Sequence, residues 1–288
     1  MAKHGLYNIV QTDAFDWLMG RRRASFHAVV TDPPHGIVEY LPDQLLKRAN
    51  GRGGIWRLPQ SFDGARRNPI PRFTVLSETD LLRIAEFHMR LATALERVLV
   101  PGGHVLLSSQ NLLVSVVATA FRGCGFEPRG QVARVVTTLR GGDRPKNAHR
   151  KFADVSVMPK SCWEPWCLFR KPCEGRVQDN LRKWKTGALR RPSTDEPFKD
   201  LIYSSPARGA ERKIAPHPSL KPQKFMRQIV RASLPLGKGV ILDPFMGSGS
   251  TIAAASALGL RSIGLEINPR YFRLAKKAIP SLADYSPH

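Results

Sequence analysis

The chain has 288 residues, of which 42% are hydrophobic, so it can form one large α/β domain or a core domain with a smaller insertion. It carries 45 Lys and Arg against 23 Asp and Glu, a net charge of +22, which favours a polyanionic partner, most often nucleic acid. No apolar run is long enough to predict a membrane span, and the first residues lack the pattern of a secretory signal.

The 4 cysteines show no paired C-x-x-C spacing, which disfavours a zinc module or a disulfide framework. We therefore expect no metal site and a reducing, cytoplasmic compartment.

Hydrophobic periodicity predicts alternating strands and helices in the first half of the chain. The expected strands are residues 6–10, 27–31, 104–108, 132–139 and 166–169. The expected helices are residues 13–18, a helix capped by Ser77 that runs to Val98, and residues 112–121. Pro101-Gly102-Gly103 is expected to end the second helix before the next strand begins.

Two segments interrupt this alternation. Residues 36–72 are rich in Gly, Pro and Arg and are expected to form a long loop with one short helix near residues 44–49. Residues 170–216 are expected to form a basic, partly irregular insert. The α/β pattern then resumes with helices at residues 222–234, 251–258 and 269–279 and strands at residues 240–242 and 262–265. Such alternation predicts a mostly parallel sheet with helices on both faces.

The segment from Val240 to Thr251 has the pattern of a strand, a tight glycine turn and a helix. Gly247 and Gly249 allow unusual backbone torsions and close approach of a ligand. Glu266 ends the next strand, where nucleotide-binding α/β folds place a carboxylate for ribose hydroxyls. The spacing matches neither a dinucleotide fingerprint nor a triphosphate loop. Asp243 at the strand end suits a positively charged group, although it could also cap the local turn.

Asp32-Pro33-Pro34-His35 follows a predicted buried strand and is therefore expected at the carboxyl edge of the sheet. An exocyclic amine of adenine or cytosine is a poor nucleophile because its lone pair is delocalised into the ring. A carboxylate and a fixed carbonyl that both accept from this amine can expose the lone pair, and the two prolines restrict φ and so aim the carbonyl of Pro33. His35 offers a ring on which an extruded base could stack.

Together, the two ends of the chain resemble the amino-methylating DNA methyltransferases. Their catalytic motif reads [DNS]-P-P-[YFWH] and their cofactor motif D-P-F-x-G-S-G-T, and the order here matches the circularly permuted β class. Three further segments are similar to this class: Arg97 to Gly103, Trp163-Glu164-Pro165 through Lys171, and His217 to Pro222. The resemblance implies a Rossmann-like fold that binds S-adenosylmethionine and transfers its methyl group to DNA.

By this resemblance, Asp32 and the carbonyl of Pro33 hold the target amine, with Pro34 in the same motif, and His35 stacks the flipped base. The cofactor-binding residues that it implies are Asp13, Ser219, Lys221, Asp243, Phe245, Gly247, Gly249 and Glu266. Asp13 fits the pattern less closely, because Thr12 stands where the family has glycine, and a helix cap explains Asp13 equally well.

Two positions depart from the family pattern. Ser250 replaces the usual threonine, and His35 stands where adenine-specific members mostly have Tyr or Phe. Asp32 favours the N6 amine of adenine, and the N4 amine of cytosine stays open as the alternative. A carbon-5 cytosine enzyme is disfavoured because Cys173 lacks that enzyme's motif context. An RNA or protein-glutamine methyltransferase is disfavoured by the motif order, and an inactive DNA-binding relative by the intact motifs.

The sequence predicts three regions in one core: residues 1–169 as its catalytic half, residues 170–216 as a target-recognition insert, and residues 217–288 as its cofactor-binding half. The loop at 36–72 is expected to close over the flipped base. The insert residues expected to contact double-stranded DNA, mostly at phosphates, are Arg182, Lys183, Lys185, Arg190 and Arg191. Homodimer formation and a restriction endonuclease partner stay open.

Overall fold

The computed structural model describes residues 5–34, 61–62, 65–66, 77–136, 142, 144–145, 147–207 and 209–287. Within these residues, eight strands form one sheet: β1 (Tyr7–Gln11), β2 (Phe26–Thr31), β5 (Leu99–Ser108), β6 (Glu127–Val135), β7 (Trp163–Arg170), β8 (Leu201–Tyr203), β9 (Val240–Asp243) and β10 (Arg261–Glu266). Their order across the sheet is β1-β10-β9-β2-β5-β7-β6-β8. Strand β7 pairs antiparallel with both β5 and β6, and the other pairings are parallel, which confirms the mostly parallel sheet.

The helices of the described residues are α1 (Ala14–Met19), α2 (Glu78–Val98), α3 (Val114–Gly123), α4 (Val177–Trp184), α5 (Gly209–Ile214), α6 (Gln223–Ser233), α7 (Ser250–Ala257) and α8 (Pro269–Asp284). They cover both faces of the sheet. Leu168 of β7 packs in a core with Phe225 of α6, whereas the next residue, Phe169, stacks on Phe121 of α3 with ring centroids 4.4 Å apart. Because neighbouring residues of a strand point to opposite faces, α3 and α6 lie on opposite sides.

The chain divides into two compact units, one of residues 1–35 and 85–288 and the other of residues 36–84. In the second unit, Ser61–Phe62 and Ala65–Arg66 form a short antiparallel pair, β3 and β4. Ser77 caps α2 as predicted, since its Oγ accepts from the Asp80 backbone N–H at 3.2 Å. The expected helix at 44–49 lies outside the described residues.

Several predicted boundaries are wrong. Strand β5 begins at Leu99 instead of residue 104, and it passes through the Pro-Gly-Gly segment because Gly102 has a φ of +75° and donates its N–H to the carbonyl of Lys171. Helix α8 passes Pro280 and ends at Asp284, where Leu282 and Ala283 are buried in a core with α7. The burial of these two side chains stabilises the last turn beyond the proline.

The insert at 170–216 contributes regular structure as well as loops. It forms α4, α5 and β8, and β8 pairs in parallel with β6 at the edge of the main sheet. All four cysteines of the chain are free thiols. None of the helices in the described part of the chain combines the length and the apolar character that a membrane span requires.

Candidate active site

The end of β2 and the end of β9 lie side by side in the sheet. Val29 is in register with Leu242, and the hydroxyl of Thr31 donates to Asp243 Oδ1 at 2.7 Å. Asp32 is the next residue along the chain after Thr31. The sheet therefore brings the Asp-Pro-Pro segment and the glycine turn to the same carboxyl edge, where open α/β folds bind ligands.

The turn after β9 is built around the buried carboxyl of Asp243. Its Oδ1 accepts from the Phe245 backbone N–H at 3.1 Å as well as from Thr31. Burial raises the pKa of Asp243 to about 6, although hydrogen bonds from Thr251, Thr31 and Phe245 oppose the rise. A buried carboxyl of this kind can receive a cationic group of a ligand.

Both glycines of this turn have positive φ, +54° at Gly247 and +86° at Gly249. A Cβ at Gly247 would come within 3.2 Å of the His217 ring, and a Cβ at Gly249 would overlap Ile279. Between them, Ser248 has a buried hydroxyl with no hydrogen-bond partner in the described part of the chain. The turn is therefore too tight for side chains at its two glycines, and the Ser248 hydroxyl is free to bond a polar ligand atom.

Glu266, at the end of β10, is held by two backbone donors. Its Oε2 accepts from the Gly247 N–H at 3.0 Å and its Oε1 accepts from the Asn268 N–H at 2.7 Å. A carboxylate oxygen has two lone pairs, so each oxygen can still accept from a ligand hydroxyl. The carboxylate is therefore fixed beside the glycine turn, and its contact with a ribose stays a prediction.

Asp32 forms an ion pair with Lys221, whose Nζ lies 2.8 Å from Asp32 Oδ2. The same ammonium lies 3.2 Å from Glu164 Oε1, so it is shared between two carboxylates. Burial lowers the pKa of Lys221, but the charges of Asp32 and Glu164 outweigh it and raise the pKa above its usual value. The expected contact of Lys221 with a cofactor carboxylate stays a prediction.

Two other expected cofactor residues also make local contacts. Asp13 caps α1, accepting from the N–H groups of Phe15 at 2.8 Å and Asp16 at 3.1 Å. Its contact with a cofactor stays a prediction. Ser219 is exposed, and its N–H donates to Nδ1 of His217 at 3.2 Å.

The sequence did not predict three aromatic contacts at this edge. The ring of Phe245 lies 6.4 Å from Phe15 and 6.0 Å from Phe87, which are far apart in the chain. His217 lies 4.3 Å from Tyr271 in an edge-to-face arrangement. His217 begins the segment His217–Pro222 that is similar to the family, whereas Phe87 has no signal in the sequence beyond helical spacing.

The remaining predicted site residues are those that follow Asp32 in its motif and the five basic residues of the insert. Pro33 is buried and Pro34 exposed at the end of β2, and His35 lies outside the described residues. In the insert, Arg182 pairs with Asp179 at 2.9 Å and Lys183 with Glu174 at 2.6 Å, all with exposed side chains. Lys185 Nζ donates to the carbonyl of Arg182, Arg190 is partly buried near Gly237, and Arg191 is exposed. Their contacts with DNA stay predictions.

The chain is similar to known proteins over nearly its whole length. The profile of the DNA methylase family, the N6/N4 methyltransferases, matches residues 26–277. The type II methyltransferase M2.DpnII of Streptococcus pneumoniae is 23% identical over 276 residues, covering 94% of this chain and 88% of that protein. The DNA adenine methyltransferase YhdJ of Escherichia coli K12 is 39% identical over 70 residues, 24% of each chain.

Among solved structures, TTHA0409 of Thermus thermophilus, a putative DNA modification methylase complexed with S-adenosyl-L-methionine, superposes with a TM-score of 0.61 at 19% identity. The superposition covers 96% of this chain and 94% of that one, which supports the fold. Because the family profile spans most of the chain, including Asp32 and the glycine turn, the chain belongs to the N6/N4 DNA methylase family.

Proposed function

We propose that this protein is a site-specific DNA methyltransferase that transfers a methyl group from S-adenosylmethionine to the N6 amine of adenine in double-stranded DNA. One observation carries the proposal: the Thr31–Asp243 hydrogen bond fixes Asp32 beside the glycine turn. The aspartate at the first motif position favours adenine, and so does the similarity to YhdJ, which is named as an adenine methyltransferase. Cytosine N4 is the alternative target within the same family.

The residues around the glycine turn fit this cofactor. S-adenosylmethionine supplies an electrophilic methyl group on a positively charged sulfonium. Glu266 can accept hydrogen bonds from the ribose hydroxyls, as the carboxylate at the corresponding strand end does in nucleotide-binding α/β folds. Asp243 lies behind the turn, where it can attract the ammonium of the methionine moiety, and the unpartnered hydroxyl of Ser248 is available to a polar ligand atom.

Asp32 and Pro33 would act on the target amine. Lys221 engages Asp32 Oδ2, and we place the amine at Oδ1. The carbonyl of Pro33 would accept the second amine hydrogen, because the ring restricts the backbone and Pro33 is itself buried. With both hydrogens held in fixed directions, the nitrogen lone pair turns away from the base plane. The new C–N bond would form as the methyl–sulfur bond of the cofactor breaks and leaves a neutral thioether, and Asp32 can then accept a proton from the positively charged amine.

The target base must leave the duplex to reach this edge. His35 would stack on the flipped base, and the basic insert at 170–216 would bind the flanking phosphates. The net charge of +22 supplies the attraction to DNA that does not depend on sequence.

Replacing Asp32 tests the proposal. Asp32→Ala should abolish methyl transfer to DNA, because the amine loses its acceptor, while the dissociation constant of S-adenosylmethionine changes by less than about threefold, under 1 kcal/mol. Asp284→Ala is the matched control, since Asp284 is exposed in the last turn of α8. Wild-type transfer by Asp32→Ala would contradict the proposal, and loss of cofactor binding would contradict the role of Asp32.

The target base needs a separate measurement. Sequencing that detects modified bases, applied to DNA from cells that express the protein, should find N6-methyladenine within one recurring sequence. N4-methylcytosine in its place would assign the alternative target, and unmodified DNA would contradict both.

A further inference from the structure

A buried chain of charges connects Asp32 to Glu164 on β7 and Arg134 on β6. Lys221 lies between Asp32 and Glu164, and Glu164 Oε2 accepts from Arg134 Nη1 at 2.7 Å. The side chains of all four residues are less than one-fifth exposed. Positive and negative charges alternate along this chain of charges in equal number, so each buried ion is paired with an ion of opposite charge. These pairs offset the free-energy cost of burying the charges.

Glu164 has four polar partners within this chain of charges and around it. Besides Lys221 and Arg134, the hydroxyl of Ser108 donates to its Oε1 at 2.9 Å and the indole of Trp166 donates at 3.2 Å. Burial alone would raise the pKa of Glu164, but the charges of Lys221 and Arg134 and the bond from Ser108 bring the pKa to about 2. Glu164 is therefore a fixed negative charge at neutral pH.

Arg134 anchors the chain of charges to the sheet. Arg134 on β6 is directly in register with Glu164 on β7. The guanidinium also donates to Ser204 Oγ at 3.1 Å and to the carbonyl of Ser205 at 3.2 Å, and it lies 5.3 Å from the centre of the Phe225 ring. These contacts hold the Arg134 guanidinium in place. Its ion pair with Glu164 in turn restrains the Glu164 carboxylate.

We propose that Glu164 is a positioning residue for the methyl transfer proposed above and that it acts on Asp32 through Lys221. An ammonium group has three donors, and with two carboxylate partners it divides them. Without Glu164, Lys221 has Asp32 as its carboxylate partner and would turn its donors onto both oxygens of Asp32. It would then compete with the target amine for the oxygen that the reaction requires.

The first test compares two ion pairs of the same β6–β7 ladder. Glu164→Gln keeps the side-chain shape and should lower kcat by roughly tenfold to a hundredfold, the size expected when a reacting group is misplaced. The dissociation constant of S-adenosylmethionine and the KM for DNA should change by less than about threefold. The matched control is Glu127→Gln, which breaks the Glu127–Arg170 pair at the other end of the ladder and should keep kcat near that of the wild type.

A second test separates positioning from a purely structural role. In the Lys221→Met background, at saturating cofactor, Glu164→Gln should lower kcat by less than about threefold further, because the link to Asp32 is already cut. If Glu164 only stabilised the fold, the substitution would lower kcat by the same factor in both backgrounds, and this result would overturn the inference.

Lys221→Met also serves if Glu164→Gln does not fold, because it leaves the bonds of Glu164 to Arg134, Ser108 and Trp166 in place. Its kcat should also fall, because Asp32 loses the ammonium that engages its Oδ2 and is no longer held in one orientation, and an unchanged kcat would overturn the inference. Inactive Asp32→Ala together with equal kcat values for Glu164→Gln and Glu127→Gln would reject the positioning role alone. An active Asp32→Ala would reject the proposed function on which it rests.

Discussion

Thr31 donates its hydroxyl to Asp243 across 2.7 Å, although the two residues are 212 positions apart in the chain. This bond joins the Asp-Pro-Pro segment after β2 to the glycine turn after β9. It also places two carboxyl groups, Asp32 and Asp243, close enough that the charge of Asp32 contributes to the raised pKa of Asp243. The ionised form of Asp243 is therefore unfavourable in the folded protein unless a cation lies beside it.

Asp243→Asn should stabilise the ligand-free protein at neutral pH. The pKa of Asp243 is about 6 in the folded protein against 3.8 for the free side chain, so the folded state binds an extra proton between these values. Stability should fall as pH rises from about 4 to 6, by at most about 3 kcal/mol for two pKa units. The variant removes this loss, so we expect a gain of roughly 1–3 kcal/mol at pH 7.5 in urea unfolding.

The pH dependence of that gain is the control. At pH 4 the Asp243 carboxyl is protonated in the folded protein, so the unfolding free energies of variant and wild type should nearly converge. A gain of equal size at pH 4 and pH 7.5 would show that the charge of Asp243 is not its cause. The variant should also bind S-adenosylmethionine more weakly, since the asparagine amide carries no charge to attract the ammonium.

Glu266→Ala should raise the dissociation constant of S-adenosylmethionine by roughly tenfold or more, since a hydrogen bond to a charged group contributes about 1.5–3 kcal/mol. Isothermal titration measures this directly. Glu266→Gln keeps an acceptor and should fall between the wild type and Glu266→Ala. Binding by Glu266→Ala that equals the wild type would remove Glu266 from the ribose contact.

The sequence predicted the two ends of the site because each has a local signal. Asp-Pro-Pro stops a buried strand, which places Asp32 at a strand end, and the glycines after β9 require positive φ. Both signals depend only on neighbouring residues. The meeting of the two ends follows from the general rule that parallel strands share a carboxyl edge.

The ion pair of Lys221 with Glu164 had no such local signal, although both residues lie in segments that resemble the family. Lys221 lies between two helices in a segment without periodicity, and Glu164 lies on an antiparallel strand whose register with β6 is a tertiary feature. Strand β8 was missed for a related reason: it has three residues, and only Ile202 among them is buried. A strand that short can be identified only by its pairing with β6, and no local sequence pattern predicts that pairing.

Arg182→Ser with Lys183→Ser should weaken DNA binding in a salt-dependent way. Both side chains are exposed on α4 and would exchange their pairs with Asp179 and Glu174 for phosphates. Losing two phosphate contacts should reduce the slope of log K against log salt by about 1.8. Fluorescence anisotropy on non-cognate duplex between low and moderate salt measures the slope.

The control for this prediction changes the same charge elsewhere. Lys276→Ser with Lys277→Ser removes two exposed cations from α8 and should leave the slope close to that of the wild type. If both double variants reduce the slope equally, DNA binds through the general charge of the surface, and the insert has no special part in it.

Gly249→Ala should destabilise the fold much more than Gly259→Ala. Both glycines have positive φ, +86° and +70°, which costs an alanine about 1–2 kcal/mol at either position. At Gly249 the added Cβ would also overlap Ile279 in the core between α7 and α8, whereas at Gly259 it meets no atom within 4 Å. Overpacking adds about 1–3 kcal/mol, so we expect a total of about 2–5 kcal/mol for Gly249→Ala. Urea unfolding of both variants measures the difference, and equal losses of stability would mean that α8 moves away from the turn at no cost.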